Sequence, residues 1–235
     1  FPLYHKPFIY GGEDAPEGYA PYMVALVVGD RVRTHWCGGS IISRRLVLTA
    51  ANCVEPLKMD DGSLFETFHT RVGSNQWNSG GTVVNIKDFH IHPEFDSKNY
   101  KNDVAVLGTE DIVSENVAII GMAFDYVGEN EACLVTGWGR TEPRKEGDVL
   151  HMQPTPDDLQ ALYTSTMSYE LCQKQMSAVT GGHAPPIHDP VELCTFHSGD
   201  AGNALVRLRT RKLIGIVSWG SSCADGGPDV SVRIN

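Results

Sequence analysis

Short strand-like segments recur along most of this chain of 235 residues. They are rich in Val, Ile, Thr and aromatic residues, as at residues 22–28, 68–72, 82–89 and 213–219, and glycine- and proline-containing turns separate them. Short strands at this spacing are typical of a sandwich or a barrel. We therefore predict an all-β fold with little helix.

One segment has helical spacing instead. At residues 168–176, Ser168 is a suitable N-cap, and Leu171, Cys172 and Met176 fall on one helical face. Residues 139–157 are dense in proline, glycine and charge, which predicts a long loop and not a domain linker.

Charge and composition exclude several function classes. Lys and Arg number 19 and Asp and Glu 29, a net charge of −10, which argues against nucleic acid or an anionic membrane as the main partner. No apolar run approaches the ~18 residues of a membrane helix, so we expect no membrane insertion. Six cysteines fit a secreted globular domain. His90 and His92 lack a convincing third ligand, and we expect no metal and no cofactor.

Seven short motifs occur in the order of a known family. They are IYGG at 9–12, WCGGSII at 36–42, LTAANC at 48–53, NDVAVL at 102–107, LVTGWG at 134–139, GDAG at 199–202 and GIVSWG at 215–220. From Ile9 to its end, the chain resembles the trypsin/chymotrypsin-like serine proteases. The resemblance implies two six-stranded antiparallel β-barrels with a boundary near residues 110–125, preceded by a pro-like extension at residues 1–8. The family's C-terminal helix has no counterpart before residue 235, either because it was lost or because the given sequence omits it.

The resemblance also places the catalytic triad of that family. The base position holds Asn52, the nucleophile position holds Ala201, and the orienting Asp103 is retained. A carboxamide is not basic near neutral pH and a methyl group cannot attack a carbonyl, so we predict a protein that is not an enzyme. A residual hydrolase using the nearby His197 and Ser198 is the alternative.

The substrate pocket departs from the family pattern too. The resemblance assigns its wall to Ser218, Trp219, Gly220 and Asp229, where Asp229 replaces a glycine and points its carboxylate inward. The segment between Cys194 and Gly199 is shorter than in the family. Together these changes predict a remodelled or closed pocket.

Further residues gain a role from the resemblance alone. Gly199 and Ala201 correspond to the oxyanion hole, and Ile9 and Asp200 to the pair that forms on activation. The matched disulfides are Cys37–Cys53 and Cys172–Cys194. Cys133 and Cys223 lack their family partners, so they bond each other, stay free or pair between chains.

These features predict a secreted, monomeric pseudoprotease that acts by binding a protein, such as a host complement component. Within the family it resembles the inactivated protease paralogues of the scabies mite, relatives of the mite group 3 allergens, which implies interference with host defence. A second hypothesis is an arthropod immune cofactor that assembles active proteases. We expect contacts from loops at residues 58–66, 139–157 and 207–212, the last with four cations in six residues.

Overall fold

A computed structural model describes residues 12–139, 143–146, 149–152, 155–196, 201–220 and 227–234, with the backbone alone for 143–146 and 149–152. Most of the regular structure is strand. In chain order the strands are β1 (Glu13–Asp14), β2 (Met23–Val28), β3 (Thr34–Ser43), β4 (Leu46–Thr49), β5 (Phe68–Val72), β6 (Thr82–Val84), β7 (Ile86–Ile91), β8 (Ala105–Thr109), β9 (Ala132–Gly137), β10 (Pro143–Glu146), β11 (Val149–Met152), β12 (Gln160–Met167), β13 (Glu192–Thr195), β14 (Ala204–Arg207), β15 (Lys212–Gly220) and β16 (Asp229–Arg233).

The N-terminal half forms one antiparallel sheet in the order β6-β5-β2-β3-β4-β8-β7. Strands β6 and β7 come from the single segment predicted at residues 82–89, which breaks at Asn85. The carbonyl of Asn85 accepts a hydrogen bond from the Glu110 backbone N–H (3.0 Å). The register also shifts between Ile86 and Asp88, so one predicted strand becomes two.

The C-terminal half forms the second antiparallel sheet. Its order is β1-β12-β13-β16-β15-β14-β9, and the additional pairing of β12 with β9 closes a ring of six strands. Buried apolar side chains of both halves join in one cluster, in which Trp138 and Ala201 lie among residues of β2 and β3. The predicted fold of two β-barrels with little helix is confirmed.

The one α-helix among the described residues, α1 (Tyr169–Thr180), begins after its predicted N-cap, because the Ser168 side chain accepts a hydrogen bond from the Leu171 backbone N–H. It ends at Gly181, whose φ of 61° suits a left-handed C-cap. Cys172 and Met176 are buried. Leu171, which was predicted on the same helical face as Cys172 and Met176, is 37% exposed.

Three further features bear on the predictions. Within residues 139–157, predicted as a loop, strands β10 and β11 pair as an antiparallel hairpin, while residues 140–142, 147–148 and 153–154 lie outside the described part. Disulfides join Cys37 to Cys53 and Cys172 to Cys194. Among the helices that the structure describes, none has the length and apolar character needed to cross a membrane.

Candidate active site

The base position lies in a short 3-10 turn that follows strand β4 of the first sheet. Strand β4 ends at Thr49, and the turn at Ala51–Cys53, tied to β3 by the Cys37–Cys53 disulfide, presents Asn52 towards Asp103. The Asp103 carboxylate accepts hydrogen bonds from the Asn52 backbone N–H (2.7 Å) and from its side-chain amide. The same amide also donates to the Ser218 carbonyl (3.1 Å). These two hydrogen bonds of the side-chain amide fix the orientation of the Asn52 carboxamide.

Asp103 is the titratable group of this network. It is fully buried, and its carboxylate accepts a further hydrogen bond from the Ser218 hydroxyl. Burial raises the pKa of Asp103 to about 6, against the lowering effect of the Ser218 and Asn52 hydrogen bonds. The site can therefore hold or release a proton at Asp103 in mildly acidic solution.

The nucleophile position is held between the two sheets. The Ala201 carbonyl accepts a hydrogen bond from the Gly38 backbone N–H (2.9 Å), and the Gly202 N–H donates to Val217 (2.8 Å). Gly202 has a φ of +82°, and a Cβ there would overlap the Gly38 carbonyl, so only glycine fits. The Ala201 methyl is buried, with 2% of the residue exposed.

Asn203, which the sequence analysis did not single out, fills the space behind this turn. Its side-chain oxygen lies where a Cβ on Gly38 would be, and its amide nitrogen lies where a Cβ on Gly137 would be. Asn203 is fully buried, and neither side-chain polar atom has a hydrogen-bond partner among the described residues. The available sequence signal for Asn203 was its position directly after the glycine-rich motif at residues 199–202.

The wall predicted for the substrate pocket is buried. Ser218, Trp219 and Gly220 end strand β15, and Asp229 begins β16 directly opposite Gly220. One carboxylate oxygen of Asp229 lies where a Cβ on Gly220 would be, and only 4% of Asp229 is exposed. The carboxylate thus packs on the glycine, although the remodelled pocket stays a prediction because residues 197–200 and 221–226 lie outside the described part.

A loop from the first sheet closes over this wall, and the sequence analysis missed it. The Tyr100 ring stacks on Trp219, with centroids 6.3 Å apart and planes at 30°. The next residue, Lys101, donates to both carboxylate oxygens of Glu192 on β13, each at 2.7 Å. Tyr100 and Asn102 have positive φ values, 54° and 52°, so the loop adopts a turn that non-glycine residues rarely adopt. No local sequence pattern announces contacts between residues so far apart.

Several predicted residues lie outside the described part of the chain: Ile9, His197, Ser198, Gly199, Asp200 and Cys223. Their assignments to the activation pair, the oxyanion hole and an alternative triad stay predictions. Cys133 has a free thiol that donates to the Glu131 carbonyl (3.2 Å), and burial raises the pKa of this thiol to about 12.

The chain is similar to known proteins over nearly its whole length. A family model described as Trypsin matches residues 9–235. Trypsin epsilon of Drosophila erecta is 31% identical over 225 residues, which cover 92% of this chain and 79% of that protein. Trypsin 5G1 of Aedes aegypti is 32% identical over 240 residues, covering 96% and 80%. Trypsin theta of Drosophila melanogaster is 29% identical over 231 residues, covering 95% and 80%.

These matches contradict the prediction that the chain is not an enzyme, because the matched family and the relatives are both named trypsins. That prediction rested on the side chains of Asn52 and Ala201. In the serine protease template, catalysis does not reside in the triad alone: without a triad member, the oxyanion hole and substrate binding still leave roughly 10³–10⁴-fold acceleration over water. Two side chains are therefore too narrow a basis for excluding a reaction.

Proposed function

Because the chain belongs to the trypsin family of serine proteases, we propose that it is a secreted member that acts by binding another protein through a surface loop. The partner we propose is a soluble host-defence protein such as a complement component. Two disulfides support secretion, since such bonds persist in oxidising compartments. The observation that carries the binding proposal is the loop at residues 58–66.

This loop is ordered by its own hydrogen bonds. The backbone N–H of Met59 donates to Ser63 (2.8 Å), that of Gly62 to Met59 (2.9 Å), and that of Phe65 to Leu57 (2.8 Å). The Asp61 carboxylate accepts from the backbone N–H (2.9 Å) and the hydroxyl (2.6 Å) of Ser63. A loop held in one conformation loses little entropy when it binds a partner.

The same loop presents apolar side chains to solvent. Met59 is 47% exposed and Phe65 is 43% exposed. Phe65 also lines a groove of about 580 Å³ between this loop and the beginning of β7, where Lys87 and Asp88 supply charge. An exposed aromatic anchor beside a groove with a polar rim has the composition of a protein interface. A specific interface takes roughly 800 Å² from each partner, which is more than one short loop supplies. The loop and β7 therefore form the binding surface together.

The basic turn at residues 207–212 is a weaker candidate than its sequence suggested. Only 1% of the Arg207 side chain is exposed, and it pairs with Asp125 (2.7 Å) and Glu131 (2.9 Å). Arg209 also pairs with Glu131 (3.1 Å). Arg207 is therefore not available to a partner, because it is the last residue of β14 and its buried side chain is paired with Asp125 and Glu131.

Peptide hydrolysis is the second candidate function, favoured by the names of the relatives. It is tested with an activated ester and with peptides that offer Lys or Arg. The matched variant is Asn52→His/Ala201→Ser, which restores an imidazole beside Asp103 and a hydroxyl at the nucleophile position. In a related protease, loss of the nucleophile or of the base costs roughly 10⁶-fold in kcat, so the ratio of the variant's rate to the parent's rate reports how much catalysis the restored hydroxyl and imidazole add.

The binding proposal is tested by immobilising the protein and identifying what it retains from host plasma and, separately, from arthropod haemolymph. Retention of a complement component, with inhibition of complement-mediated lysis at micromolar concentration, is the expected result. Retention of haemolymph proteases alone would favour the alternative role as an immune cofactor. Kinship with the mite proteases stays a prediction, because the relatives described above are insect proteins.

The variant Met59→Ser/Phe65→Ser should reduce retention at least tenfold, since it removes the exposed apolar anchors without touching the core. Val113→Ser is the matched control, because Val113 is 69% exposed and is not part of the loop or groove. Equal loss in both variants, or no plasma component retained by the parent protein, contradicts the proposal.

A further inference from the structure

We propose that Arg33 and Arg71 form a binding site for a single small oxyanion, such as inorganic sulfate or the carboxylate of a small organic acid. The site lies on the loop at residues 73–81, which joins β5 to β6. The inference goes beyond the proposed function and is independent of it, because it uses neither the loop at residues 58–66 nor the triad positions.

The first argument is a buried charge without a counter-ion. Among the residues that the structure describes, three arginines are buried: Arg71, Arg207 and Arg233. Arg207 pairs with two carboxylates, and Arg233 lies 3.8 Å from that of Asp189. Arg71 is 9% exposed and has no carboxylate within ion-pair distance in the described part of the chain. Because a buried cation is costly unless it is paired, Arg71 is the one of the three that lacks an anion.

The hydrogen bonds of the Arg71 guanidinium are also incomplete. Its Nη1 donates to the Gly80 carbonyl, whereas its buried Nε has no partner among the described residues. Trp77, on the same loop, has a second buried donor, Nε1, for which the described residues supply no acceptor. Guanidinium and indole nitrogens only donate. The unsatisfied groups of this loop therefore call for a ligand that only accepts, as an oxyanion does.

The second argument is a further cation beside the first. Arg33, an exposed residue between β2 and β3, donates from its Nη1 to the Asn78 carbonyl (3.1 Å). The two guanidinium groups thus lie on carbonyls only two residues apart. Burial lowers the pKa of Arg71, and the charge of Arg33 lowers it further. An oxyanion between two guanidinium groups relieves this repulsion and accepts charge-assisted hydrogen bonds from both.

The loop that carries these carbonyls is held in one shape. The Ser74 hydroxyl donates to the Ser79 carbonyl (2.9 Å) and accepts from the Gln76 backbone N–H (2.9 Å). Gly81 has a φ of +56°, and a Cβ there would overlap the Val72 carbonyl. Both arginines are therefore positioned before a ligand arrives, which lowers the entropic cost of binding.

The surrounding charge limits the size of the ligand. Asp157 accepts a hydrogen bond from the Asn78 side-chain amide (2.8 Å), and Asp158 accepts one from that of Gln76 (3.1 Å). The whole chain has a net charge of −10. A polyanion that reached the arginines would also meet these carboxylates and be repelled, whereas one small oxyanion contacts the two guanidinium groups alone.

The test is equilibrium dialysis of the full chain against radiolabelled inorganic sulfate, with the ionic strength kept constant by sodium chloride. We expect one sulfate per chain. Arg33→Gln removes one of the two charges from the exposed side of the site and should weaken sulfate binding by roughly tenfold. Lys174→Gln is the matched control, because it removes the same charge from an exposed position on α1 and should bind sulfate as the parent does.

A second variant and a competitor sharpen the result. Arg71→Met should abolish sulfate binding, and Arg33→Gln carries the test whether or not Arg71→Met folds. Unlabelled acetate distinguishes the two kinds of oxyanion: displacement of sulfate by acetate assigns the site to carboxylates as well, and retention of sulfate restricts it to sulfate.

Three results would overturn the inference. They are a parent protein that binds no sulfate, binding that Arg33→Gln leaves unchanged, and equal weakening by Arg33→Gln and Lys174→Gln, which would show attraction by overall charge and not by a site. None of these results bears on the binding of plasma proteins, so failure of this inference and failure of the proposed function are distinguishable.

Discussion

Asn203 places a polar side chain where the two sheets meet, and this side chain has no hydrogen-bond partner among the residues that the structure describes. A buried amide that lacks hydrogen bonds costs about 1–3 kcal/mol. We predict that Asn203→Ala raises the free energy of unfolding by about 1 kcal/mol, since removing the amide relieves this penalty and leaves a small cavity that offsets part of the gain. Urea denaturation measures the change, with the exposed Asn116→Ala as control. A loss of stability would mean that the amide is paired, for example with a buried water.

The buried carboxylate at Asp103 predicts a pH dependence of stability. Its pKa is about 6 in the folded protein and close to the ordinary aspartate value of 3.8 in the unfolded chain. The folded state therefore binds the extra proton between these values, and the stability this provides is complete below about pH 4 and lost as pH rises through 6. From pH 4 to pH 7 we predict that the parent protein loses up to about 3 kcal/mol relative to Asp103→Asn. Parallel pH profiles of the two proteins would contradict this.

The sequence was sufficient to assign Asn52, Asp103 and Ala201 to positions in the candidate site, because each falls inside a short motif. The contacts that bury the same site were not predictable from it. Tyr100 meets Trp219, and Lys101 meets Glu192, only after both sheets have formed. Pairs separated by about a hundred positions leave no trace in local periodicity, so a single sequence indicates which residues are present but not what covers them.

At the scale of elements, the local sequence pattern was sufficient to predict strands and helix ends where no tertiary contact opposes the local propensity. The strand predicted at residues 68–72 is β5, and the N-cap predicted at Ser168 begins α1. Prediction failed where tertiary contacts compete with propensity. Asn85 interrupts a β-rich run because the Glu110 N–H uses its carbonyl, and residues 139–157 contain a hairpin despite their loop-like composition.

Helix α1 gives the prediction at this scale. Ser168 caps the helix, and the Cys172–Cys194 disulfide ties its first turn to β13. We predict that Ser168→Ala lowers the free energy of unfolding by about 1 kcal/mol, because the Leu171 N–H loses its acceptor. Ser177→Ala, inside the same helix, should change stability by less than about 0.5 kcal/mol. Equal effects of the two variants in thermal denaturation would show that the cap contributes nothing.

At the scale of the whole molecule, a loop that follows β7 reaches from the first sheet to the second, in addition to the apolar cluster that the two halves share. Lys101 carries a charge from the first half into contact with Glu192 on β13, and the two side chains are 14% and 4% exposed. The Glu192 carboxylate also accepts from the His188 backbone N–H (2.6 Å), so it stays in place when Lys101 is removed. Asp103 lies two residues beyond Lys101, so this anchor also positions the Asp103 carboxylate.

Removing Lys101 should therefore cost far more than removing a surface cation. We predict that Lys101→Met lowers the free energy of unfolding by about 3 kcal/mol, because Glu192 is left as a buried charge without its counter-ion. Lys101→Met/Glu192→Gln should recover most of that loss, since the amide oxygen still accepts from His188 and no charge remains. The control is Arg45→Met, whose ion pair with Asp111 has side chains 69% and 40% exposed and should contribute less than about 1 kcal/mol. Equal losses of stability for Lys101→Met and Arg45→Met in urea denaturation would contradict this prediction. Removing one partner of a buried ion pair must cost more than removing one partner of an exposed pair, so equal losses would mean that the loop does not join the two halves.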